Sequence, residues 1–105
     1  MSASTPQPNS ERPPLTVPEF QRLIEAVYGE KDRARGIEGT FLWFHEEVGE
    51  LTRAIRRGHD HDNLKEEFTD VFAWLVSMAS MLDVDMQDAV ESKYGQVFKE
   101  AGLRG

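Results

Sequence analysis

Five carboxylates in this chain of 105 residues are spaced to converge on one point: Glu46, Glu47 and Glu50 in one stretch, Glu67 and Asp70 in the next. Apolar residues recur at intervals of three and four in both stretches, so each is read as a helix advancing about 100° per residue. With Glu47 at zero on the helical wheel, Glu50 falls about 60° to one side and Glu46 about 100° to that same side. Trp43 and Ala54 share the Glu47/Glu50 row, while Phe44, Val48, Leu51 and Ile55 run along its other flank. The acidic pair therefore borders the apolar seam and does not oppose it. Glu67 and Asp70 repeat the three-residue step on the following helix, in a row with Trp74 and flanked by Leu64, Val71 and Met78. Helices joined by a short loop pack as antiparallel neighbours, which lets the two acidic pairs face each other.

Carboxylates beside aromatic rings are poorly solvated, and several together repel. A hard divalent cation held through oxygen compensates both effects; magnesium suits this donor type, with manganese as a substitute. One isolated Glu-Glu-x-x-Glu is ordinarily a solvated helix face. Pairing among Glu46, Glu50, Arg53 and Arg57 at helical steps serves that plainer role. The second acidic pair, in matching geometry on the next helix, turns the pattern toward a metal site. A ferritin-like di-iron centre needs Glu-x-x-His on two helices. None of His45, His59 and His61 has a glutamate three residues before it.

Four helices would carry these groups. Thr16-Val17-Pro18-Glu19 is a capping-box pattern with proline in the first turn. Phe20, Leu23, Ile24, Val27 and Tyr28 follow as one apolar stripe, ending near Gly29. Residues 29–39 are charged and glycine-punctuated, and read as a linker with at most a last helical turn. The second helix is expected over residues 40–57, with Gly58 just past its end. Asp60 or Asp62 caps a third that reaches about Leu82, and Asp85 opens a fourth to about Lys99. No strand-period segment or repeat is found, so the fold class is all-α. Residues 71–75 are apolar all the way round and must be covered all round. Three other helices can hardly do so, which predicts a homodimer or a larger even-numbered assembly such as a tetramer.

All five prolines lie within the first eighteen residues, so residues 1–15 read as a disordered arm and residues 16–105 as a single domain. There is no cysteine for a disulfide or a thiolate metal site. The N-terminus has no basic patch followed by an apolar run, so a secretory signal is not expected. The longest apolar-rich stretch, residues 71–82, is too short to span a bilayer. A cytoplasmic protein without membrane attachment is the expectation. Nineteen acidic against twelve basic residues give a net charge of −7. Stable nucleic-acid binding, which needs a basic footprint, is not expected. A phosphate-bearing ligand would need a cation between itself and the protein.

The phrases FLWFHEEVGELTRAIRRG and EEFTDVFAWLVSMASMLDVDMQDAVESKYG, with Glu46-Glu47-Val48-Gly49-Glu50 and Glu67-Phe68-Thr69-Asp70, resemble the EExxE…ExxD signature of MazG-like nucleoside triphosphate pyrophosphohydrolases. The resemblance runs over roughly residues 20–99. It implies a four-helix, MazG-like bundle that dimerises or tetramerises. It also implies magnesium-dependent hydrolysis of a nucleoside or deoxynucleoside triphosphate, at the α-phosphorus, to monophosphate and pyrophosphate. By motif position, Glu47, Glu50, Glu67 and Asp70 would be the metal ligands, and Glu46 an outer ligand or the group that orients water; Glu46 and Glu47 are the catalytic candidates. Many relatives place an asparagine shortly after a lysine of the last helix. Lys93-Tyr94-Gly95-Gln96 has the lysine without it, so Lys93 is either a phosphate contact or a snorkelling side chain with its stem inward. Trp43 and Trp74 could stack a base or simply fill the core. Arg33 and Arg35 could reach phosphates from a mobile linker, against the plainer reading of a solvated charge run. Rival functions are a related pyrophosphohydrolase acting on dUTP or phosphoribosyl-ATP, and a non-catalytic helical dimer that binds metal or nucleotide.

Overall fold

Thr16 opens the first helix with both halves of a capping box. Its hydroxyl accepts the Glu19 backbone N–H at 3.4 Å, and the Glu19 carboxylate accepts the Thr16 backbone N–H at 2.9 Å. In this computed structural model, which describes residues 13–103, the helices are α1 (Val17–Arg35), α2 (Ile37–Arg57), α3 (His61–Met81) and α4 (Met86–Glu100). There is no strand among the described residues, so the all-α expectation holds. Most of the expected arm, residues 1–12, lies outside the described residues; Pro13, Pro14 and Leu15 are exposed.

The expected linker over residues 29–39 is not a loop. α1 continues through Gly29 to Arg35, and α2 begins three residues before Thr40, with Gly36 alone between them. A glycine inside a helix costs only about 1 kcal/mol relative to alanine, and tertiary contacts outweigh that here. Asp32 is buried and its carboxylate accepts a hydrogen bond from Ser77 on α3. Gly29 is buried because the Glu25–Arg33 ion pair, 2.6 Å long, crosses directly over it; a Cβ there would meet the Glu25 carboxylate at 2.6 Å. Gly36 is the true break, with φ +89° and ψ 162°, a conformation that L residues with a Cβ rarely adopt.

The other caps fall where side-chain chemistry places them. Gly58 ends α2 in the left-handed region, Asp60 accepts the Asn63 backbone N–H at 3.1 Å, and Asp85 accepts that of Asp88 at 3.0 Å. α2 and α3 form the most extensive helix pair, and α1 packs across α3. Val76 is fully buried, with Ile24, Ala54 and Met78 also in the core. Phe20 of α1 stacks on Phe72 of α3 at 5.6 Å. α4 rests on α1, where the Gln21 side chain donates to Ser80 Oγ and to the Val84 carbonyl and accepts the Met86 N–H. The antiparallel α2–α3 pair is the element that brings the two acidic motifs together.

Candidate metal centre

Glu47 on α2 and Glu67 and Asp70 on α3 meet across the helix pair. One carboxylate oxygen from each lies within 4.8 Å of the other two. None of the three carboxylates has a hydrogen bond or ion pair with another described residue. At such a separation a like-charge pair repels by about 1 kcal/mol even at water's dielectric constant, and by more beside a protein surface.

The electrostatics follow. Desolvation by partial burial raises Glu47 above the usual carboxylate range, and the charges of Asp70, Glu67, Glu50 and Glu46 raise it further. Glu67 is raised by desolvation and then by Asp70, Glu50 and Glu66, with Arg53 opposing. Asp70 is raised by desolvation and by Glu66. Three convergent oxygen donors, each costly to hold ionised and none in an ion pair with a protein cation, fit a hard divalent ion.

The other two expected carboxylates stand apart from this triad. Glu50 pairs with Arg53 at 2.7 Å, and Glu46 is exposed. The local pairing expected among Glu46, Glu50, Arg53 and Arg57 is thus present at one step, Glu50–Arg53, and there it holds one carboxylate out of the triad. Trp43 and Trp74 stack at 6.4 Å with ring planes 10° apart, flanking the acidic rows. Lys93 is exposed on α4, its ammonium 5.6 Å from the Tyr94 ring centroid, and it is not among the residues lining the cavity beside Asp70. Its side of α4 also carries Val90 and Val97, 42% and 54% exposed, so no inward seat holds the lysine stem.

That cavity, about 340 Å³, runs from Asp70 and Trp74 to Tyr28, Lys31, Asp32 and Arg35 on α1. Its volume is within the range of small-molecule sites. Arg35 was expected to reach phosphates only from a mobile linker, and Lys31 and Asp32 were missed, because residues 29–39 read as a loop. The Asp32/Arg35 pair at a helical i, i+3 step was the available signal.

Comparison with known families adds a second line to this geometry. The MazG nucleotide pyrophosphohydrolase domain matches residues 35–96, more than half of the chain, from the end of α1 well into α4. No curated protein matches the chain. Divalent-metal dependence is general in that family, and the matched span contains all three carboxylates of the triad. The helical architecture and the matched span together make the chain a member of the MazG nucleotide pyrophosphohydrolase family.

Proposed function

We propose that the protein hydrolyses a nucleoside or deoxynucleoside triphosphate at the α-phosphorus, giving nucleoside monophosphate and pyrophosphate, with magnesium as its metal. The convergence of Glu47, Glu67 and Asp70, all raised and none paired, carries this reading. Glu50 is the fourth ligand, available once it leaves Arg53. Bound there, magnesium supplies the positive charge that an acidic chain lacks toward a polyanion, offsets charge on the departing pyrophosphate and makes a water more acidic. Glu46, at the exposed edge of the same helix face, orients the attacking water and takes its proton. The water oxygen bonds to the α-phosphorus as the bridging anhydride bond breaks, and the electron pair leaves with pyrophosphate. Trp74 walls the cavity next to Asp70, where a base or sugar would rest, and Trp43 supports it from α2.

The working unit is a homodimer or a tetramer built from dimers. Phe68 and Leu75 on α3 and Phe41 and Leu42 on α2 are 42–74% exposed in the single chain, large apolar side chains that a second copy would cover. Light scattering should report at least a dimer, and Leu75→Glu should dissociate it; a stable monomer of the unmodified chain overturns this part. No helix among the described residues is long and apolar enough to cross a membrane. The cytoplasm, which holds the nucleotide pools, is the compartment this activity needs.

A panel of nucleoside triphosphates with product analysis, in magnesium and in chelator, tests the activity. Monophosphate with pyrophosphate is the expected outcome. Nucleoside diphosphate with phosphate, or no turnover of any triphosphate, overturns it.

A further inference from the structure

We propose that Arg35 is a substrate-binding residue that anchors the polyphosphate, and that Asp32, Thr40 and Ser77 are the positioning residues that hold it for that task. The inference rests on the triphosphate reading above and extends it to a residue on the opposite wall of the cavity. Arg35 and Asp70 line the same cavity, so an anion held at the acidic triad extends toward the guanidinium.

The seat of Arg35 is built from three helices. Its Nη1 donates to Asp32 Oδ1 at 3.0 Å and to Thr40 Oγ1 at 3.1 Å, and Thr40 in turn donates to the Gly36 carbonyl at 2.9 Å. Asp32 Oδ2 accepts from Ser77 on α3 at 2.5 Å. Asp32, Thr40 and Ser77 are all buried. The guanidinium lies 5.1 Å from the Trp74 ring centroid, an attractive cation–π arrangement. Gly39 makes room for the stem: a Cβ there would meet Arg35 Cγ at 2.8 Å.

This fixed group still has donors to give. A guanidinium carries five N–H groups; two are used at Nη1, and the three on Nε and Nη2 make no hydrogen bond to any described residue. The side chain is 28% exposed, so those donors can be reached. Planar paired donors match phosphate oxygens, and a side chain already held in place loses little freedom on binding. Arg33 and Arg53 are by contrast paired with Glu25 and Glu50. Lys31, exposed on the same wall, adds charge without being fixed.

The test uses Arg35→Gln, Arg35→Lys and Gly39→Ala in the full chain. Three readouts are taken: steady-state kinetics with the best triphosphate of the panel, calorimetric binding of inorganic tripolyphosphate with magnesium, and thermal melting. Arg35→Gln should raise KM and weaken tripolyphosphate binding by roughly 10- to 100-fold, the range of a charged hydrogen-bond pair, with kcat changed less than about threefold. Arg35→Lys should recover only part of this, because an ammonium cannot hold Asp32 and Thr40 and still present a planar pair. Gly39→Ala keeps the charge and shifts the stem; it should raise KM in a protein that melts normally, and it carries the test if Arg35→Gln fails to fold. Wild-type turnover together with unchanged KM and tripolyphosphate affinity in folded variants overturns this inference alone. A wild type that turns over no triphosphate and binds no tripolyphosphate overturns the functional reading, and this inference with it.

Discussion

Asp32 and Asp70 line one cavity, the first from α1 and the second from α3, yet their carboxylates live under opposite regimes. Asp32 is the more deeply buried and has a partner for each oxygen, Arg35 on one and Ser77 on the other. Asp70 is more exposed, has no hydrogen-bonding or ionic partner among the described residues, and faces Glu47 and Glu67. Burial therefore does not separate a structural carboxylate from a candidate metal ligand; partners do. An acid that folding has matched holds helices together. An acid that folding leaves unmatched, among others of its kind, is held ready for something the chain itself does not contain.

The largest expected effect is on catalysis. Asp70→Asn or Glu67→Gln keeps the shape of the side chain and removes one charge, and each should lower turnover at least about a hundredfold, no less than loss of an outer-shell metal partner costs. Magnesium should raise the melting temperature of the wild type, since an ion bound only by the folded state stabilises it, and should raise that of either variant less. In chelator the variants should melt no lower than the wild type. If they melt well below it, and magnesium leaves the wild type unmoved, Asp70 belongs with Asp32 and the contrast dissolves.

Asp32 should answer in the opposite way. Asp32→Ala removes the acceptor of a buried hydroxyl and the partner of a half-buried guanidinium, and should cost about 2–3 kcal/mol in urea unfolding, with magnesium or without it. Asp70→Ala, measured alongside in chelator, should cost nothing.

A smaller effect lies in the pH dependence of the metal-free protein. Glu47, Glu67 and Asp70 have carboxyl groups raised by folding, so the native state holds their protons more tightly than the unfolded chain does. Their contribution should therefore stabilise as pH falls from neutrality through the raised values, and weaken as pH rises through them. Glu19 runs the other way. Backbone and side-chain hydrogen bonds from Thr16 lower its carboxyl, so its contribution is present above the ordinary carboxylate range and is lost as pH falls through the lowered value. Melting curves in chelator, wild type against Glu67→Gln, should show the first slope between pH 7 and about pH 5, and wild type against Glu19→Gln the opposite slope only below about pH 4.3, the ordinary glutamate value. The smallest effect is Thr16→Ala, about 1 kcal/mol for a lost N-cap and indifferent to magnesium.

The contrast also explains which half of the site was legible in the sequence. Glu47, Glu67 and Asp70 sit in uninterrupted helical periodicity, where angles on a wheel translate directly into position. Asp32 and Arg35 sit among Gly29, Gly36 and Gly39, and three glycines in eleven residues read as a loop. Only Gly36 breaks the chain. Gly29 lies under an ion pair and Gly39 beside an arginine stem, so both are places of close approach, a tertiary demand that local sequence does not display. Glu50 lies about 60° from Glu47 on the wheel, but a wheel cannot say that its rotamer favours Arg53.

The seating of α4 has a consequence for motion. Among the described residues that helix contains no buried one and packs chiefly along α1, where the Gln21 side chain ties the end of α3 to the first turn of α4. It is thus the segment whose opening exposes least and costs least. Deuterium should enter the amides of α4 well before those around Val76, and Gln21→Ala should hasten that uptake while leaving the Val76 region at the wild-type rate. Should a second subunit seat on Val90 and Val97, now half exposed, exchange across α4 will slow as protein concentration rises, and Lys93 will be held still by its neighbour rather than by its own fold.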